Sequence, residues 1–115
     1  MANRRRGEVA LHLGEKRYTL CLTLGALAEL EEAFGVDDLM ALAERFGTGR
    51  LSSRDLLKLL VVALRGAGQD VGDAEVAGLP LTEGIEPVAS AIADLLTVTF
   101  GAEPSSANPL QPQNI

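Results

Sequence analysis

Reactive side chains are scarce in this chain of 115 residues: it holds one cysteine, Cys21, and one histidine, His12. Together these two types can make a thiolate–imidazole nucleophile, which requires the ring nitrogen within hydrogen-bond reach of sulfur. Both lie in "EVALHLGEKRYTLCLT", residues 8–23, on the less apolar face of an expected hairpin. A turn at Gly14 does not set them opposite one another, and no oxyanion loop is apparent. A small buried or half-buried cysteine is the commoner case and the reading adopted.

Metal and phosphate chemistry fare no better. Transition-metal sites draw on several Cys or His ligands. "DVGDAE" brings Asp70, Asp73 and Glu75 together but lacks the ligand spacing and closing Glu of a calcium loop, so it reads as an acidic helix start. "RGAGQD" follows an expected helix, whereas a phosphate loop follows a strand and opens a helix. Glu29, Glu31 and Glu32 read as a solvated helix face, with a contact surface for a basic partner as their other use. No catalytic residue, cofactor site or metal site is expected, and the chain reads as a binding module, not an enzyme.

Composition narrows the partners. Hydrophobic residues make up 47% and aromatics only 3%, so the core must be aliphatic and exposed rings for base stacking are lacking. Residues 1–17 hold five basic side chains against two acidic ones, while the remainder holds five against fourteen. An acidic body repels phosphate backbones, so nucleic acid is not an expected partner, and the Arg4-Arg5-Arg6 run reads as solvated. A single cysteine allows no internal disulfide, which fits a cytoplasmic protein. The start shows no signal peptide, and "LLKLLVVAL", Leu56 to Leu64, is too short to span a bilayer, so no membrane is expected.

These side chains must be positioned by a mostly helical frame. Val9, Leu11 and Leu13, then Tyr18, Leu20 and Leu22, alternate as two strands around a turn at Gly14-Glu15-Lys16. After Thr23 the period changes to three and four: Leu24, Leu27, Ala28, Leu30, Phe34. Thr23 is the expected N-cap and Gly35 the stop. Leu20, Leu22, Leu24 and Leu27 are expected to lock hairpin to helix. A second helix, Leu39 to Phe46, follows a cap at Asp37 or Asp38. A third starts at a Ser52-x-x-Asp55 pattern and is central, because Leu56 to Leu64 is apolar nearly all round. A short turn capped by Asp73 comes next. The last helix starts between Thr82 and Pro87 and runs to Phe100, with Val88, Ile92, Leu95, Leu96 and Thr99 on one face. The fold class is α+β, mostly α: an N-terminal β-hairpin packed on a small bundle of four to five helices. Residues 1–101 form the expected single domain. Residues 102–115, with three prolines and no apolar period, are the expected disordered tail.

"MANRRRGEVALHLGEKRYTLCLTLGALAELEEAFG", "LMALAERF", "GRLSSRDLLKLLVVALRGAG" and "IADLLTVTFG" together resemble the gene transfer agent family of small tail proteins. Phage-derived particles in alphaproteobacterial genomes encode them. The resemblance covers roughly residues 1 to 101. The family groups with phage tail assembly chaperones, although it has also carried the label of tail tube protein. The resemblance implies a chaperone of tail morphogenesis that binds the tape measure protein, helps recruit the tail tube protein, and is absent from the mature particle. It implies no catalytic residue. The alternative is a structural tail component, a tube or connector subunit. Tube subunits of the known type are β-sandwiches, and strand alternation here is confined to residues 8 to 23.

A helical, apolar client is held by apolar anchors with a charged rim. The anchors on offer are Leu39, Met40 and Leu42 in the second helix and Leu56, Leu57 and Leu60 in the third. The expected partner-binding residues are Met40 and Leu57, with Glu31 and Glu32 as the rim. Burial of all these leucines in the core is the competing reading. Self-association is a further expectation.

Overall fold

A computed structural model describes residues 3–47 and 51–101. The tail expected over 102–115 lies outside the described residues. In order, the elements are a 3-10 turn Arg4–Arg6, β1 Glu8–Leu13, β2 Lys16–Cys21, α1 Leu24–Phe34, α2 Leu39–Gly47, α3 Ser53–Gly66, α4 Asp73–Ala77 and α5 Glu86–Phe100. This is the expected hairpin on five helices, α+β and mostly α. Among the described residues no helix is long and apolar enough to cross a membrane.

β1 and β2 pair antiparallel, with Val9 opposite Leu20, Leu11 opposite Tyr18 and Leu13 opposite Lys16. The connecting turn is therefore two residues, Gly14-Glu15, one shorter than expected. Gly14 adopts φ +63°, which a residue with a Cβ adopts at a cost. Because directly opposed residues share a face, Val9, Leu11, Leu13, Tyr18 and Leu20 form one apolar side. A lone hairpin is marginal in water, and this one is stabilised by its cover: α5 packs along β1 and α3 along β2.

α3 is the centre of the molecule. Leu59 through Leu64 are all buried, because the hairpin, α1 and α4 each pack on it. Ser52 and Asp55 make a reciprocal cap at its start: Asp55 N–H donates to Ser52 Oγ at 3.1 Å, and Ser52 N–H to Asp55 Oδ2 at 3.3 Å. At its other end Gly66 lies against the Cys21 carbonyl, where a side chain has no room.

The junction after β2 is as abrupt as the rhythm of the sequence. Thr23 Oγ1 accepts the Ala26 N–H at 3.1 Å, and Gly35 ends α1 in the left-handed region at φ +69°. Leu20, Leu22 and Leu27 join the core, but Leu24 is 81% exposed. The first turn of α1 points Leu24 away from the sheet, and Ala26 faces the core in its place. Ala28 is exposed for the same reason.

Two further expectations are corrected. Asp73 is the first residue of α4, not its cap; Gly72 occupies the cap position without a side-chain bond. On α5 the inward face is Val88, Ala91, Ile92 and Leu95, while Leu96 and Thr99 are only half-buried. Asp38 does cap α2: its Oδ1 accepts the Ala41 N–H at 2.8 Å.

Candidate functional site

The two reactive residues do not meet. Cys21 stands opposite Glu8 in the ladder, and His12 stands opposite Arg17 at the other end of the strands. The Cys21 thiol donates to the Arg6 carbonyl oxygen at 3.8 Å. Burial pushes its pKa up, the Glu8 carboxylate pushes it further, and Arg6 opposes both. A protonated thiol is a weak nucleophile.

The acidic segment is used structurally. Arg65 reaches Asp73 at 3.7 Å and Glu29 at 3.8 Å, and its Nε–H donates to the Val71 carbonyl at 3.0 Å. One guanidinium thus ties α1 and α4 to the end of α3. Among the described residues no group of three His, Cys, Asp or Glu side chains is placed to hold a metal ion.

The four expected partner residues are dispersed. Met40 is 78% exposed on α2, and Leu39 beside it is also exposed. Leu42 is fully buried in the core; Leu60 is buried too, but it reaches the wall of a groove that Leu57 also lines. Leu57 is half-buried on α3. It lines a groove of about 400 Å³ with Leu79, Leu81 and Ile85, and none of the other three residues lines that groove. Glu31 is half-buried and Glu32 exposed, both in the last turn of α1, which carries no basic residue. Carboxylates at a helix C-terminus meet the negative end of its dipole, so these two gain from any outside cation.

A second concavity was not expected from the sequence. A groove of about 560 Å³ runs between α2 and α5 and is floored by the start of α3. Phe46, Leu56, Ile92 and Phe100 line it, and among the described residues no charged one does. Its depth comes from small residues on both walls, Ala43 and Gly47 on α2, Ala89 and Ala93 on α5. Their four-residue spacings were visible in the sequence, but the gap between the helices was not. Arg45 does not enter the groove. It stacks over the Phe34 ring at 4.8 Å and reaches Asp55 at 3.7 Å, and Phe34 meets Phe46 edge-on at 5.2 Å. That cluster holds α2 to α1 and to the start of α3.

A scan against protein families matches residues 6–102 to the family described as "Phage tail tube protein, GTA-gp10". No curated protein and no solved structure matches the chain.

Proposed function

The chain belongs to the family described as phage tail tube protein, GTA-gp10, and from that membership we propose that it works, without catalysis, in the tail of a phage-derived gene transfer particle. The observation that carries this is the extent of the match, residues 6–102, which takes in both strands and all five helices. The family's description favours a subunit of the tail tube, present in the finished particle, over the chaperone that the sequence resemblance implied.

One observation supports the chaperone as a second reading. The sheet among the described residues has two strands of six residues each. A tube wall that closes through β-strands needs more strand edge than that. Short helices with apolar grooves suit a protein that shields the apolar helices of another. In this reading the tape measure protein is the client and the tail tube protein a further partner. Met40 and Leu57 are then apolar contacts, and Glu31 and Glu32 a charged rim.

Quantitative mass spectrometry of purified particles separates the two. A tube subunit appears there in many copies. A chaperone is found in the producing cells and missing from the particles. Normal particles with complete tails from a strain lacking the gene would overturn both readings.

A further inference from the structure

We propose that the pocket between the end of α1 and the start of α3 receives paired carboxylates from an acidic segment of a partner protein. The pocket has a volume of about 790 Å³. Among the described residues its charged lining is Arg45, Arg54 and Lys58 against Asp55 alone. Beyond residue 17 the chain holds five basic side chains against fourteen acidic ones, and three of the five gather here. Arg50 lies outside the described residues, and its charge has the same sign as the pocket's.

In so acidic a body a basic side chain has carboxylates to choose from. Arg65 takes Asp73 at 3.7 Å and Glu29 at 3.8 Å, and Arg45 takes Asp55 at 3.7 Å. Arg54 and Lys58 take none: among the described residues neither side chain has an ion pair or a hydrogen bond. Both oxygens of Asp55 are committed, Oδ1 to Arg45 and Oδ2 to the Ser52 N–H at 3.3 Å. α1 gives the lining Ala33 and Phe34 and no carboxylate, and Glu29, one turn before Ala33, is held by Arg65. The positive charge of the pocket is therefore left for a group from outside.

The geometry points to a carboxylate-bearing chain. Arg54, exposed, and Lys58, half-buried, lie one turn apart on α3, about 6 Å along its axis. Two acidic side chains one turn apart on a helix, or two residues apart on a strand, have about that spacing. Cations set along a helix face suit a segment laid beside α3, not a small anion enclosed on all sides. A nucleic acid is disfavoured because its long row of phosphates would meet the acidic body beyond the pocket. The one aromatic ring in the lining, Phe34, is already packed against Arg45 and Phe46, so it is no platform for a base. The pocket stands apart from the question of whether the protein stays in the particle.

The test is fluorescence anisotropy on the full chain with labelled synthetic peptides of about 12 residues. One carries glutamates one turn apart, and a matched one has glutamines in their place. The Glu peptide is expected to bind, and the Gln peptide to bind at least about tenfold more weakly. Arg54→Gln combined with Lys58→Gln is expected to weaken Glu-peptide binding by about tenfold or more, with an unchanged melting transition. If the double variant does not melt like the parent, Arg54→Gln alone, at an exposed position, replaces it, with a loss of about threefold or more expected. Lys16→Gln combined with Arg17→Gln removes the same charge from the exposed end of the hairpin and is expected to leave binding unchanged. No binding of the Glu peptide at about 1 mM overturns the proposal, as does equal binding of both peptides. Unchanged affinity in the α3 variant overturns it, and so does an equal loss in the hairpin variant, which would mean unspecific attraction of charge. A single-stranded oligonucleotide that binds as tightly as the Glu peptide, and is lost in the α3 variant, would assign the pocket to nucleic acid. A dimer that the α3 variant abolishes would assign it to a second copy. Either result overturns the proposal too.

Discussion

Gly66 of α3 sits so close to the backbone of Cys21 that a methyl group there would overlap the Cys21 carbonyl oxygen and lie 3.2 Å from its carbonyl carbon. Backbone meets backbone at this point, which is how α3 reaches the end of β2. In an open helix Gly→Ala stabilises by about 1 kcal/mol. Here Gly66→Ala is expected to lower stability by about 1–3 kcal/mol, because neither backbone can retreat without shifting an element. A denaturant melt checks the sign: a more stable Gly66→Ala protein would place α3 farther from the hairpin.

At the strand-to-helix corner, neighbouring leucines are expected to differ sharply. Leu22→Ala removes a buried side chain and is expected to cost about 2–5 kcal/mol. Leu24→Ala, two residues on, removes an exposed one and is expected to stay within about 0.5 kcal/mol. Thr23→Ala between them loses the cap to Ala26 and is expected to cost about 1 kcal/mol. Equal effects at Leu22 and Leu24 in thermal melts would contradict the direction of the first turn of α1.

Asp55 serves two neighbours, the Ser52 N–H and the Arg45 guanidinium. Ser52→Ala is expected to cost about 1 kcal/mol through the lost cap. Asp55→Ala is expected to cost at least as much and also to loosen Arg45 from its place beside Phe34. A double-mutant cycle between Asp55 and Arg45 is expected to give a coupling of about 0.5 kcal/mol, the range of part-exposed ion pairs. Zero coupling would show that the Arg45–Asp55 pair adds nothing to the hold on α2.

Cys21 is expected to make stability depend on alkaline pH. Its folded pKa is raised, chiefly by burial and then by Glu8. The folded state therefore holds the thiol proton to higher pH than the unfolded chain does. The stabilisation this brings is complete below the ordinary thiol pKa and is lost as pH rises through the raised value. The difference in stability between the parent and Cys21→Ser is the quantity to follow, from about pH 7 to pH 10. A difference that does not change over that range would contradict the raised pKa. Alkylation by iodoacetamide near pH 8 is expected to be slower in the native protein than in denaturant.

Local rules written in short stretches of the chain determined the elements. Alternation from Val9 to Leu22 specified the hairpin and its apolar side, because the strand period of two leaves no other face to bury. Thr23, Gly35, Asp38 and the Ser52–Asp55 pair placed helix ends, because caps act within three or four residues. The continuous apolar run of α3 announced its central position. Burial of particular residues was less legible. Leu24 and Leu42 look alike as letters, yet one is exposed and the other lies in the core, since a helix's rotation about its axis is set by what packs on it. The dispersal of Met40, Leu57, Glu31 and Glu32, the approach of Gly66 to Cys21, and the groove between α2 and α5 share one cause. Each depends on distances between elements far apart in the chain, and those distances come from packing all the side chains at once.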